Sequence, residues 1–307
     1  PGRAAGAVKR WMCAALAALL LCSLTACGKT EEPARQDIFA MDTYMSLVAY
    51  GEDGQEALAA AAREINRLEQ ELSRTVSTSY IYKLNENGSA AVSEETANLL
   101  KAAMDYSAAT GGLFDMTVAP LVSLWGITTD SPRVPSRSEI DALLPLVGSD
   151  RVHLDGQTVT LDAGCAVDLG GIAKGYASDR VAQVLRQYAV TGAAVYLGGN
   201  VYVCGQKSDG SAWSVAVQDP KDTGAYAMTL ELTDVFAVTS GGYQRYFTDS
   251  GGTVDQHILD PRTGRPAQTD LLSVTVIGQN GTMADAYSTA LYFMGEQAAC
   301  DFWRHSG

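Results

Sequence analysis

The chain is expected to adopt an α+β fold with largely antiparallel sheets and packed helices. Three observations lead there. Short apolar runs separated by turn residues crowd the second half, as hairpins require. Stretches of helical period pair with single strands and do not alternate regularly with them, which favours α+β over a doubly wound parallel sheet. And 47% of the 307 residues are hydrophobic against 19% charged, enough apolar material for one large core or two modest ones.

Residues 1–26 read as a lipoprotein signal peptide outside the fold. Arg3, Lys9 and Arg10 form a basic start, and Trp11 to Leu24 is an apolar run short of the roughly 20 residues a membrane span needs. The run closes as Leu24-Thr25-Ala26-Cys27-Gly28, which resembles a bacterial lipobox. That resemblance implies cleavage before Cys27, lipidation of Cys27, and a folded part held on the extracytoplasmic face of the cell membrane. Residues 27–37 read as a polar tether and 38–307 as the folded domain. Pro1 and Gly307 are abrupt ends, so a fragment is expected at one or both of them.

The elements follow in order. Phe39 to Tyr50 reads as a strand and Glu56 to Arg74 as a helix, with Ala59, Ile65, Leu68 and Leu72 near helical spacing. Glu94 to Ala109 is a second helix, capped by Ser93 and stopped by Gly111-Gly112. Thr129 to Arg137 is a loop, and Val152 to Leu161 a hairpin about Asp155-Gly156. A helix from Tyr176 to Tyr188 follows a glycine turn. Strands are expected at 193–197, 201–204, 213–217, 228–232, 236–239 and 271–277, and a last helix at Met283 to Met294.

Charge narrows the function. The leader carries three positive and no negative charges, so a formal net charge of −13 becomes −16 without it. So acidic a surface argues against nucleic acid and against a polybasic membrane-binding face. Beyond Cys27 only Cys165, Cys204 and Cys300 remain, an odd number without CxxC spacing. Buried free thiols are expected, and no zinc motif.

Chemistry concentrates in a few places. In Asp168-Leu169-Gly170-Gly171-Ile172-Ala173-Lys174-Gly175 an acid meets paired glycines, a lysine and a helix start. Backbone can approach a ligand closely there, and the N–H groups at the helix start favour anions. Neither the Walker A nor the GxGxxG spacing is present, so phosphate binding and a plain tight turn with a solvated lysine both fit the pattern. Asp285, Ser288 and Thr289 share one helix face and offer only oxygen, which suits magnesium or calcium; an N-terminal acid that favours the helix dipole fits equally. His257 and Asp260 flank a rigid Asp260-Pro261-Arg262-Thr263-Gly264 turn. Leu197-Gly198-Gly199-Asn200 and Ser240-Gly241-Gly242-Tyr243 are further glycine turns, and Asp115 is either a ligand group or a cap.

In this order the pieces resemble the ApbE family, the FAD:protein FMN transferases. The match runs from Phe39 to Phe293 through eight blocks: Met41-Asp42-Thr43; Leu72-Ser73 to Leu84-Asn85; Phe114 to Leu121; Leu124-Trp125-Gly126; Asp168 to Gly175 with Leu197 to Asn200; Ser240 to Tyr243; His257 to Pro261; and Ala284-Asp285-Ala286. The resemblance implies a T-fold-like α+β architecture that binds FAD as substrate beside Mg2+. It implies flavin-nucleotide contacts at Met41, Leu113, Phe114, Asp115, Asp168, Lys174 and Leu259. It puts the metal at the Gly171 carbonyl and the Asp285 and Thr289 side chains, with Ser288 where some relatives have an acid.

The implied reaction moves FMN from FAD to a protein threonine or serine and releases AMP. Lys174 would steady developing charge and His257 would take the hydroxyl proton, with Asp260 in reserve; a free histidine titrates near ~6.5. Implied acceptors are subunits of sodium-translocating NADH:quinone reductase or Rnf-type membrane complexes, or extracytoplasmic FMN-binding-domain proteins. Hydrolysis of FAD to FMN and AMP stays open, while the intact Asp285 and Thr289 pair disfavours flavin binding without chemistry. The chain departs from the family pattern with Asp42 where Gly is usual and Thr75 where some relatives place a stacking aromatic, so that stacking is expected either to be weaker or to come from Tyr80 or Tyr82. A further strand is expected beyond Gly307.

Overall fold

A computed structural model describes residues 32–249 and 251–305. The leader and its Cys27 lie outside the described residues. The folded unit begins at Pro33.

The chain opens with strands β1 (Ala34–Ala40) and β2 (Thr43–Tyr50), then helices α1 (Gly54–Leu72) and α2 (Tyr80–Asn87). Strand β3 (Ser89–Ala91), helices α3 (Glu94–Ala109), α4 (Ala119–Trp125) and α5 (Arg137–Leu143), and hairpin β4 (Val152–Asp155) and β5 (Thr158–Leu161) complete the first half. Helix α6 (Ala173–Leu185) leads into β6 (Gly192–Leu197), β7 (Asn200–Gly205), β8 (Trp213–Asp219), β9 (Asp222–Leu232) and β10 (Val235–Gly241). Short ribbons β11 (Tyr246–Thr248) with β12 (Val254–Gln256), and β13 (Leu259–Asp260) with β14 (Arg265–Pro266), precede β15 (Ser273–Gly278) and helix α7 (Gly281–His305).

Among the described residues, β1-β2-β6-β7-β10-β15 form one six-stranded sheet whose neighbours are all antiparallel. The register aligns one apolar face. Leu47 pairs with Val195, Val195 with Tyr202, Tyr202 with Phe236, and Val238 with Val276; all are buried, and Tyr202 and Phe236 stack on each other. Against this face pack the apolar stripes of α1 (Leu58, Ala61, Ile65, Leu68), α6 (Ala177, Val181, Leu185) and α7 (Ala284, Ala290, Leu291) in one core. At roughly 25 cal/mol per Å² of apolar surface, this continuous layer is the main stabilising term of the domain.

Helix α6 crosses α7 at very close range. A Cβ on Gly175 would lie 2.2 Å from the Gly281 carbonyl oxygen and 2.6 Å from Asp285 Cβ, so only glycine allows the approach. The contact is fixed by Asp179 of α6, whose carboxylate accepts from Gly281 N and Thr282 N at 2.8 Å each and so caps α7.

A second, smaller core holds Leu121, Trp125, Ile140 and Leu259. Trp125 Nε1 donates to the Gly264 carbonyl at 2.8 Å, and Gly264, at φ +66, leaves no room for a Cβ beside Ile140. This core fixes the segment that carries His257.

Several expectations change. The run Phe39 to Tyr50 is a hairpin, not one strand. Strand β1 takes in Ala34 to Asp37 of the stretch read as a tether. The helix expected to end at Met294 does break at Gly295, φ 75 and ψ 172, but resumes to His305. Of the three thiols, Cys165 is buried, Cys204 half-buried and Cys300 exposed, so burial does not hold for Cys300.

Candidate active site

The antiparallel register brings several turns to one end of the sheet. The β1–β2 turn, the β6–β7 turn at Gly198-Gly199 and the end of β10 all lie there, because Leu197 pairs with Asn200 and Asn200 with Val238. They border a cavity of about 990 Å³, closed on other sides by Leu113 to Asp115, the 168–174 turn, His257 to Leu259, and Asp285 and Thr289 of α7. That volume suits a dinucleotide-sized ligand.

Asp285 is buried, and its Oδ2 accepts from Gly175 N at 2.8 Å. Burial raises its pKa, opposed by the Lys174 charge and the Gly175 N–H. Asn200 also favours the ionised form from outside ordinary hydrogen-bond geometry, because its buried Nδ2 closes no bond. A carboxylate kept out of water with so little compensation is a natural cation ligand.

Thr289 lies beside it. A Cβ on Gly171 would sit 3.8 Å from Thr289 Oγ1 and 3.3 Å from the Phe114 ring, so the bare backbone of Gly171 approaches the same spot. A carboxylate and a hydroxyl with glycine backbone beside them are hard oxygen donors of the kind that fit magnesium, an oxygen set that the ion commonly completes with waters and substrate phosphates. Ser288 does not line the cavity. It is fully buried, donates to the Asp285 carbonyl at 2.9 Å and lies 2.7 Å from Ser240 Oγ, so its place is behind the oxygen set.

The glycine turn presents Lys174, whose Nζ donates to the Gly170 carbonyl at 3.2 Å. Asp168 Oδ1 accepts from Gly170 N at 2.7 Å, and Oδ2 pairs with Arg74 Nε at 2.9 Å. Arg74 lines the cavity and was not singled out as a site residue by the sequence, although it stands just after α1 inside the block from Leu72 to Asn85. Asp115 borders the cavity, but its carboxylate is committed elsewhere. It accepts from Thr117 N and Oγ1, Ser107 Oγ and Ser149 N, which makes it the cap of the Met116–Val118 turn that follows Leu113 and Phe114.

His257 lines the cavity with its ring fixed. Its main-chain N–H and its Nδ1 both lie against the Arg245 carbonyl, at 3.0 and 3.1 Å. A carbonyl only accepts, so Nδ1 carries the proton and Nε2 keeps a lone pair. The ring is partly accessible but densely surrounded. That burial pushes its pKa down to about 4, assisted by the charges of Lys174 and Arg245 and opposed by the Arg245 carbonyl. The ligand-free site therefore does not titrate near the value of free histidine.

Asp260 corrects the sequence reading. It is absent from the cavity wall, and its carboxylate is held by Arg262 through N at 2.8 Å, Nε at 3.0 Å and Nη2 at 2.7 Å. It organises the 260–264 turn and is no free base. Tyr80 and Tyr82 also stay away from the cavity, whose aromatic side chains are Phe39, Phe114, Tyr196, Tyr243 and Phe293. Leu259 and Met41 do line it.

The histidine leaves a signature in stability. Its folded pKa lies below the unfolded value, so folding favours the neutral ring: the contribution is complete above about pH 6.5 and is lost as pH falls toward 4. Urea midpoints of wild type should therefore fall more steeply between pH 6.5 and 4 than those of His257→Gln. Parallel curves would mean that the ring titrates normally.

The ApbE family model matches residues 41–307. A Vibrio cholerae protein named FAD:protein FMN transferase is 33% identical, with 94% of this chain and 89% of the relative covered. A Treponema pallidum protein of the same name is 31% identical over 93% and 86%. The crystal structure of the ApbE protein from Thermotoga maritima superposes with a TM-score of 0.81 at 36% identity, covering 89% of each chain. Pseudomonas stutzeri flavinyl transferase ApbE, in its apo form, gives 0.79 at 28% identity, covering 90% and 89%. With the α+β fold, the glycine-turn cavity and these matches in place, the chain belongs to the ApbE family.

Proposed function

We propose that this protein is a magnesium-dependent FAD:protein FMN transferase. It moves the FMN half of FAD to a threonine or serine hydroxyl of a redox protein and releases AMP. The names of the relatives support flavin transfer. The observation that carries the reading is one cavity lined both by His257, whose Nδ1 is engaged so that Nε2 keeps its lone pair, and by Gly171, Asp285 and Thr289.

The acceptor oxygen attacks the phosphorus of the FMN half. The new O–P bond forms as the P–O bond to the AMP phosphate breaks, AMP leaves with the bridging oxygen, and the hydroxyl proton passes to His257 Nε2. Lys174 stands at the helix start where charge develops on the phosphates. A Mg2+ ion held by Asp285, Thr289 and the Gly171 carbonyl would neutralise pyrophosphate charge as a Lewis acid. Burial is the main cause of the low imidazole pKa, and the phosphates would offset only the smaller contribution of the Lys174 and Arg245 charges. Glu69 fixes the Met41 wall by accepting from Met41 N at 2.7 Å.

The acceptors proposed are subunits of sodium-translocating NADH:quinone reductase or Rnf-type complexes, or extracytoplasmic FMN-binding-domain proteins. A lipid on Cys27 would hold the enzyme beside them at the extracytoplasmic face of the membrane. In a bacterial host, Cys27→Ala should release the protein from the membrane fraction; retention equal to wild type would remove the lipid anchor.

The reaction is tested by mixing protein, FAD, Mg2+ and an FMN-binding-domain acceptor. The acceptor should gain fluorescence and the mass of FMN, and EDTA or Asp285→Ala should abolish the gain. His257→Asn should slow transfer by about 10²–10⁴-fold, the usual worth of general base catalysis. Release of FMN and AMP with no labelled acceptor would mark the protein as an FAD hydrolase.

A further inference from the structure

We propose that Asp42 and Arg245 are positioning residues for His257, a latch that ties the ribbon carrying the imidazole to the β1–β2 turn. The proposal rests on the reading of His257 as proton acceptor. Ribbon β11–β12 is a separate two-stranded sheet with no ladder to the six-stranded one. Its β12 side is held through Gln256, whose Nε2 donates to the Ala267 carbonyl at 2.7 Å and whose Oε1 accepts from Tyr292 Oη at 3.0 Å. The β11 side is held through Arg245. Its guanidinium donates to both the carboxylate and the main-chain carbonyl of Asp42, 203 residues away in sequence.

The same Arg245 holds the catalytic ring, because its carbonyl receives both His257 N–H and His257 Nδ1–H. Asp42, Arg245 and His257 thus form an unbroken chain along the cavity wall. The place of Asp42 in it is costly. Asp42 has φ +55 and Met41 φ +49, so two successive side-chain-bearing residues occupy the left-handed region that glycine adopts more easily. Strained backbone of this kind persists where the surroundings enforce it.

Stability does not account for the aspartate. The Asp42 side chain is 69% exposed and that of Arg245 38% exposed, and such ion pairs contribute little to folding. What glycine would lack at this position is the carboxylate, and the carboxylate grips the arginine that orients the ring. A displacement of about 1 Å at a reacting group can lower a rate by ~10²-fold.

The test is Asp42→Gly in the full chain, with Asp42→Asn as the conservative variant. For Asp42→Gly, kcat of transfer should fall about tenfold to a hundredfold. KM for FAD should stay within about twofold, and Tm should be unchanged or higher because the turn relaxes. Asp42→Asn keeps an acceptor oxygen for Arg245 and should recover most of kcat. Arg245→Met should cost less in the Asp42→Gly background than in wild type, since the carboxylate contact is already gone and only the one to the main-chain carbonyl of residue 42 remains to be lost. A wild-type kcat in Asp42→Gly, losses that multiply in the double variant, or a kcat that falls only together with Tm would overturn the latch.

A second readout does not need turnover. The chain has three histidines, so 15N-histidine NMR can follow His257. Wild type should show the Nδ1–H tautomer at neutral pH, and Asp42→Gly a mixture of tautomers. An unchanged His257 spectrum in Asp42→Gly would also overturn the latch. A wild-type protein that transfers no FMN would defeat the proposed function instead, leaving the spectrum to decide the latch.

Discussion

The site depends on the close approach of α6 to α7 at Gly175. Because Gly175 carries no side chain, its Cα comes up against the Gly281 carbonyl and the Asp285 Cβ, and its N–H reaches Asp285 Oδ2. One contact therefore sets the distance between two helices, aims a buried carboxylate and binds one of its oxygens. The glycine turn that precedes α6 and the hydroxyl of Thr289 on α7 come into range of each other through the same crossing. Asp179 reinforces it from the other side by capping α7, so the ends of the two helices cannot slide independently.

The rest of the cavity is assembled by the sheet. An antiparallel register places alternate turns at the same end, and that end is where the Met41-Asp42 and Gly198-Gly199 turns and the tail of β10 meet. Cationic groups are distributed around this space and are not left free. Arg74 is paired with Asp168, Arg245 with Asp42, and Lys174 with a carbonyl. Such pairing orients the charges before any ligand arrives, so little reorganisation remains to be done at the moment of reaction. The smaller Trp125 core then fixes the 257–264 segment, with Asp260 serving its turn.

Local signals in the sequence were enough for elements whose ends are locally determined. Ser93 caps α3 by accepting from Thr96 N, as its position before Glu94 and the following apolar period suggested. The hairpin of β4 and β5 falls at the Asp155-Gly156 signal. The Met41-Asp42 turn was hidden because neither residue is a usual left-handed residue pair for a tight hairpin; its conformation is enforced by Glu69 and Arg245, which are distant in sequence. Ala34 to Asp37 looked like a tether because Arg35, Gln36 and Asp37 are three successive polar residues, which an edge strand tolerates. The cavity residues carried by glycine motifs were legible as motifs. Arg74 and Arg245 were not, since a lone arginine gives no sign of its partner, and Asp260 misled because a turn-organising carboxylate and a free base look alike in sequence.

The central claim is that the Gly175 crossing holds Asp285 and Thr289 in place for a cation that binds with FAD. Calorimetric titration of FAD into wild type and Gly175→Ala, each with Mg2+ and with EDTA, addresses it directly at a temperature where circular dichroism shows both proteins folded. Forcing a methyl group into this contact should destabilise the fold by about 1–3 kcal/mol, as overpacking generally does. The account predicts that the gain in FAD affinity given by Mg2+ in wild type is lost in Gly175→Ala, while binding in EDTA is the same for both. A folded Gly175→Ala protein that keeps the full magnesium-dependent gain would contradict it.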